Sequence, residues 1–152
     1  MDAVRQTSKL VQKYIERPLI FRDTPSKELS FAIHRKFDLR QWILVTSLNP
    51  LEAYKFDRCY VRLCSEKYNV EQFENTKQHL TNYSQNKSFF SRKEDSVLSQ
   101  QQLQQLLGSG EAWRRLDRKI NAIYVKTLQA VCQEMASNNS CFELYGFDVL
   151  ID

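Results

Sequence analysis

Arg35-Lys36-Phe37-Asp38-Leu39-Arg40-Gln41-Trp42-Ile43-Leu44-Val45 is the stretch around which the rest of the chain is read. As a strand, from about Lys36 to Thr46, it sends successive side chains to opposite faces. Lys36, Asp38 and Arg40 then share one face, and Phe37 and Leu39 share the other. The apolar pair can anchor the strand to a core. The opposite face carries cation, anion, cation in a row. That order suits a site for a polyanion: the cations take phosphate or carboxylate, and the anion takes a hydroxyl, an amine or a metal. From this stretch alone, a solvated face with incidental charges is the competing reading.

Working outward, Asn49-Pro50 marks a turn, and Leu51 to Asp57 and Cys59 to Ser65 read as two further strands. In the second, Tyr60, Arg62 and Cys64 share a face, so Arg62 can again point into a polar groove. Upstream, Leu10 to Ile15 has the branched and aromatic content of a strand, and Pro18 breaks it. Arg22 to His34, polar and holding Pro25, reads as an exposed loop. Four extended segments in quick succession predict a mostly antiparallel sheet.

Glu66 to Gln78 is polar and irregular, and His79-Leu80-Thr81-Asn82-Tyr83-Ser84 is a cluster of hydrogen-bonding side chains with one apolar anchor. Such a loop is a solvated connector or a binding loop. Ser88 to Ser96 reads as flexible. A glutamine-rich helix over Ser99 to Leu107 stops at Gly108. Trp113, Leu116, Ile120, Ile123, Leu128, Val131 and Met135 then form the apolar stripe of a second helix, closed by Asn138 and Asn139. Cys141 to Asp152 is strand-like, with Gly146 inside it at a bulge or a close backbone approach. Asp148 lies between Phe147 and Val149, where a carboxylate is costly unless it is paired or binds a metal.

Composition narrows the function. The 152 residues are 42% hydrophobic and 12% aromatic, enough for one domain or a large piece of one. The net charge of +4 fits an acidic partner such as a nucleotide or an acidic peptide, and no basic run resembles a nucleic-acid tail. Only three glycines occur, which excludes a glycine-rich phosphate loop within these residues. The four cysteines have no paired close spacing, so reduced, buried or half-buried thiols of a cytosolic protein are expected rather than a zinc site. No apolar run approaches a membrane span or a signal segment.

Gln12-Lys13-Tyr14-Ile15, Lys36-Phe37-Asp38-Leu39-Arg40, His79-Leu80-Thr81-Asn82-Tyr83-Ser84 and Phe142-Glu143-Leu144-Tyr145-Gly146-Phe147-Asp148, in this order, resemble the tubulin–tyrosine-ligase-like family. The resemblance covers roughly Val11 to Asp152. It implies an α+β, ATP-grasp-like fold, with a mostly antiparallel sheet packed against helices, and residues 1–152 as a partial catalytic domain from the C-terminal portion. It implies ATP and Mg²⁺ as cofactors, and tubulin or microtubules plus a free amino acid, glycine or glutamate, as partners, with neither nucleic acid nor membrane. The expected place is the cytoplasm, the cytoskeleton or a cilium or flagellum.

Residue by residue, the resemblance matches Gln12, Lys13, Tyr14 and Ile15 to a hinge strand that meets the adenine. Lys36, Asp38, Thr81 and Asn82 match nucleotide contacts. Arg40 and Arg62 match catalytic arginines at the phosphates and at the incoming amino acid's carboxylate, Tyr83 and Ser84 lie beside that amino acid, and Asp148 matches a magnesium ligand. The family's phosphate-covering loop, and a strand whose Glu and Asn complete the magnesium site, have no match within these residues. The chain alone is therefore expected to bind Mg-ATP weakly or not at all and to transfer nothing. Lys36 to Trp42 followed by Asn49-Pro50 resembles the glycine-adding branch, and His79 to Ser84 resembles the glutamate-adding members. A relative that binds nucleotide or microtubules without turnover is the alternative to a ligase.

Overall fold

The computed structural model describes residues 11–90, 96–135 and 141–152. Its axis is a 14-residue strand, β1 (Arg35–Leu48). The cis Asn49-Pro50 turn sends the chain back as β2 (Leu51–Lys55), and after a break it continues as β3 (Tyr60–Lys67). Two short helices follow, α1 (Thr76–His79) and α2 (Tyr83–Asn86). Then come β4 (Val97–Ser99), α3 (Gln100–Leu106), α4 (Gly110–Val131) and β5 (Glu143–Val149).

The registers give the topology. Leu39 faces Val61 on one side and Val149 on the other, and Ile43 faces Lys55 and Tyr145. A strand has two edges, so β2 and β3 share one edge of β1 in succession and β5 takes the other. β4 extends the sheet beyond β3, and every pairing is antiparallel. The fold is the expected α+β arrangement.

Each face of the sheet is set by alternation. Phe37, Leu39, Ile43 and Val45 of β1 join Val61, Leu63 and Val149 in the core. The buried polar member of that face, Gln41, donates from Nε2 to the Phe56 carbonyl at 2.7 Å. α4 covers this face through Ile120, Tyr124 and Leu128, one helical turn apart, with Tyr124 edge-on to Phe147. Lys55 reaches from β2 to Asp117 and Asn121 of the same helix, 2.8 Å each. α3 starts at a capping box formed by Ser99 and Gln102, buries Leu103, and stops where Gly108 takes a positive φ of 74°.

The opposite face is read row by row. Asp38 faces Arg62, and Arg40 faces Tyr60 and Asp148. Trp42 faces Gly146 and takes the Phe56 N–H on its carbonyl, and Leu44 faces Tyr54 and Leu144. One face of one sheet thus passes from charged rows to apolar rows. A groove of about 540 Å³ lies over the apolar end, lined by Trp42, Leu44, Tyr54, Phe56 and Leu144.

Several expectations need correction. Val11 to Ile15 is irregular and pairs with no strand among the described residues; Leu10 lies outside them. Strand propensity measures fit to a pleated neighbour. Tyr14 instead packs edge-on against Phe73 and His79. The supposed loop Arg22 to His34 contains a 3₁₀ helix, Lys27–Ala32, capped by Ser26, with Leu29 and Ala32 buried at three-residue spacing. Ser99, expected as the first residue of a helix, instead closes β4 and caps α3, and Val97 and Leu98, which carry little pattern of their own, form the rest of that strand. α4 ends at Val131, short of Met135, and the expected stop at Asn138 and Asn139 lies outside the described residues. Most of the stretch expected to be flexible, Ser88 to Ser96, also lies outside them, and its described part includes buried Phe90. All four cysteines are free; Cys59 and Cys64 are buried and Cys141 is exposed.

The register of β5 on β1 is unbroken, so Gly146 marks a close approach and not a bulge. A Cβ there would lie 3.1 Å from Arg40 Nη1 and from Trp42 Cζ3. Gly146→Ala is expected to destabilise the fold by about 1–2 kcal/mol through this overpacking. Urea unfolding checks it, and an unchanged midpoint would show that the arginine and the indole yield without cost.

Candidate nucleotide site

At the charged end of the sheet the side chains form a continuous network. Asp38, only 6% exposed, accepts from Arg62 Nε at 2.8 Å and Nη2 at 2.5 Å, and from Thr81 Oγ1 at 2.6 Å. The same Arg62 Nη2 lies 2.9 Å from Asp148 Oδ2. Arg40 grips Asp148 with Nε at 2.5 Å and Nη2 at 3.2 Å. Strands β1, β3 and β5 are therefore tied by an Asp38–Arg62–Asp148–Arg40 chain, to which the loop after α1 adds Thr81. Burial pushes the Asp148 carboxyl up, but the hydrogen bonds and charges of Arg40 and Arg62 outweigh it and hold it below its ordinary value. The two carboxylates keep Arg62 firmly protonated, chiefly through its hydrogen bonds with Asp38.

Beside this network, Lys36 is 4% exposed. Its ammonium donates to the Tyr14 hydroxyl at 2.9 Å and sits 4.2 Å from the centre of that ring. Burial lowers its pKa below the usual lysine range. The Tyr14 hydroxyl lies 2.6 Å from Nδ1 of His79, and His79 Nε2 lies 3.0 Å from the Gln72 carbonyl. Asn86, wholly buried, fastens the loop. Its Oδ1 accepts from the Ser65 N–H on β3, and its Nδ2 donates to the Leu80 and Asn82 carbonyls.

Lys36, Tyr14, His79, Asp38, Arg62, Thr81 and Asp148 line a cavity of about 290 Å³, at the small end of ligand pockets. Ten of the expected site residues meet there: Gln12, Lys13, Tyr14, Ile15, Lys36, Asp38, Arg62, Thr81, Asn82 and Asp148. Arg40 does not line the cavity and reaches it only through Asp148. Tyr83 and Ser84 are not on the wall; they belong to α2, Tyr83 half-buried and Ser84 exposed. His79, Leu80 and Leu150 line the wall without having been assigned a role. Leu150 was within reach, because it shares the strand parity of Asp148.

Chemically the network offers three cations, Lys36, Arg40 and Arg62, against two carboxylates, and Lys13 is a fourth cation on the cavity wall. Such a site can take an anion with arginine forks and a hydroxyl with Asp38. Asp148 accepts three N–H contacts from the two arginines. A carboxylate has about four lone-pair sites, so Oδ1 keeps one for a cation. Mg²⁺ is commonly held by one or two carboxylates with phosphates and water, a mode that Asp148 fits. Among the described residues no group of three or more His, Cys, Asp or Glu side chains gathers for a metal.

Comparison with known proteins gives a consistent answer. The chain is 38% identical to tubulin glycylase 3F of Tetrahymena thermophila over 95% of its length, covering 16% of that protein. It is 35% identical to tubulin glycylase 3E of the same organism over 99% of its length, covering 11% of that protein. A probable tubulin polyglutamylase, human TTLL2, is 31% identical over 99% of the chain, which covers 25% of it. The chain thus spans a quarter or less of each of these curated relatives. Residues 2–152 match the profile of the tubulin-tyrosine ligase family, and this chain belongs to that family.

Proposed function

We propose that residues 1–152 are the C-terminal portion of an ATP-grasp catalytic domain, serving an ATP-dependent ligase that joins an amino acid to tubulin tails. The amide forms by way of an acyl phosphate. Glycine is the added residue, with glutamate the alternative; the relatives at 38% and 35% identity, both tubulin glycylases, support glycine. The observation that carries this reading is the gathering of Lys36, Asp38, Arg62, Thr81 and Asp148 around one cavity walled by residues 12–15.

In this reading Gln12 to Ile15 meet the base, and Lys36, Asp38, Thr81 and Asn82 hold the nucleotide. Arg40 and Arg62 face the phosphates and the amino acid's carboxylate, with Tyr83 and Ser84 beside that amino acid. Asp148 holds Mg²⁺, which when bound draws charge from the transferring phosphoryl group. Tubulin or microtubules are the partner, which places the protein in the cytoplasm, on the cytoskeleton or in a cilium or flagellum. No helix among the described residues is long and apolar enough to cross a membrane.

Because the cavity wall lies within this chain, weak binding at millimolar concentration is the expected outcome of the two that the sequence left open, with no transfer. A ligand ten times above its dissociation constant stabilises the fold by about 1.4 kcal/mol, a rise in melting temperature of about 3–6 °C. Thermal denaturation with Mg-ATP should show that rise, and Asp38→Asn should abolish it. No shift at saturating Mg-ATP would sink the nucleotide reading.

A further inference from the structure

We infer that Tyr14 and His79 are positioning residues for Lys36: a directional chain of hydrogen bonds runs from the Lys36 ammonium through the Tyr14 hydroxyl to His79 Nδ1, and it fixes the cation and the wall of the cavity together. The inference rests on the nucleotide reading above only for what the ammonium finally holds.

The direction of the chain follows from donor and acceptor chemistry. The Gln72 carbonyl only accepts, so His79 Nε2, 3.0 Å away, carries a proton. In the neutral ring Nδ1 is then a bare acceptor, 2.6 Å from the Tyr14 oxygen. An ammonium only donates, so the Tyr14 oxygen accepts from Lys36 at 2.9 Å. The single phenolic proton therefore goes to Nδ1, and no group in the chain is asked to accept and donate with the same atom pair. Lys36 spends one N–H on the hydroxyl and rests against the ring face at 4.2 Å, which leaves its other N–H bonds for the cavity.

The surroundings hold this arrangement in place. The imidazole is 7% exposed, stacked on Phe73 at 5.7 Å and met edge-on by Tyr68 at 5.4 Å. The Tyr68 hydroxyl is engaged by the Glu16 carbonyl at 2.8 Å, which secures residues 14–16 from the other side. The segment that carries Tyr14 has no ladder among the described residues to hold it. Its polar ties to the sheet and to the loop run through this cluster, so ordering the wall and aiming the ammonium are one event.

Two measurements test the chain. Ring ¹⁵N shifts of His79 in the ligand-free protein should show Nε2 protonated and Nδ1 bare, with the Nδ1 signal moved by Tyr14→Phe. A protonated Nδ1 would overturn the inference whatever the protein binds. In calorimetric titration with Mg-ATP, Tyr14→Phe should weaken binding about tenfold, the loss of one hydrogen bond to a charged group. Adding Tyr14→Phe to Lys36→Ala should then cost nothing more. Additive losses would mean that Tyr14 acts apart from Lys36 and would also overturn it. His79→Leu should reproduce the loss, and His79→Asn, which keeps an acceptor near the place of Nδ1, should recover most of it. If the wild-type chain does not bind Mg-ATP, the nucleotide reading falls, and the nitrogen shifts alone decide the chain of bonds.

Discussion

Arg62→Ala is expected to lower the free energy of unfolding by about 3–5 kcal/mol, the cost of leaving a buried charge without its partner. Asp38 has 8% of its side chain exposed and would lose two of its three donors, keeping only Thr81. Water entering from the cavity that Asp38 lines can replace them only in part. Asp148 would keep Arg40 and, at 42% exposure, water as well, so most of the loss falls on Asp38. Neutralising the orphaned acid with Asp38→Asn in the same chain should recover part of it. Guanidinium unfolding at neutral pH measures both variants, and a loss below 1 kcal/mol for Arg62→Ala would mean that Asp38 is solvated in solution.

The same network shapes the response to acid. The folded pKa of Asp148 lies below its ordinary value, with burial opposing and the two arginines prevailing. Its stabilising contribution is therefore complete above the unfolded value, about 3.9, and is lost as pH falls through the lower folded value. Without Arg62 the folded value moves toward the unfolded one, and this share of the acid sensitivity shrinks.

Asn86→Ala is expected to cost about 3 kcal/mol, with a further effect on the site. The amide side chain satisfies the Ser65 N–H and the Leu80 and Asn82 carbonyls from a position with no solvent exposure. Each buried backbone group left without a partner costs about 1–3 kcal/mol. The loop that Asn86 fastens also carries Thr81, whose hydroxyl is the third donor to Asp38. Loosening it should weaken Mg-ATP binding as well as the fold, whereas an ordinary core truncation would affect the fold alone. A chemical denaturation curve and a nucleotide titration on the same preparation separate the two. An Asn86→Ala chain as stable as the parent would show that solvent reaches the three groups.

The sequence made legible whatever depends on alternation along one strand. Lys36 and Asp38 lie on the face opposite Phe37 and Leu39 as the pleat demands, Arg62 faces the polar side, and Gly146 sits where a neighbouring side chain crosses the backbone. The amphipathic stripe of α4 was equally readable, because its spacing is local. What stayed hidden is set by distant partners. Val11 to Ile15 has strand composition without a strand beside it among the described residues, and its role depends on His79, 65 residues from Tyr14. Asn86 reads as one polar residue among many until β3 is placed next to it. The 3₁₀ helix declares itself only by Leu29 and Ala32, too short a pattern to stand out from a polar stretch.

The break between β2 and β3 divides the long hairpin mechanically. The outer half of β1, Ile43 to Leu48, is zipped to β2, whose residues from Glu52 to Lys55 are exposed. The inner half, Arg35 to Arg40, is zipped to β3, where Val61, Leu63, Cys64 and Ser65 are buried. Opening the outer zip gives up the Lys55 ties to α4 and the packing of Leu51 but no fully buried β2 side chain, so it costs less than opening the inner one. Opening the inner one would take the core with it. The hairpin can therefore breathe at its tip while Lys36 and Asp38 stay seated, because strand pairing lapses between Phe56, which still bonds to Trp42, and Tyr60, and fraying that reaches this break does not run on into the charged rows.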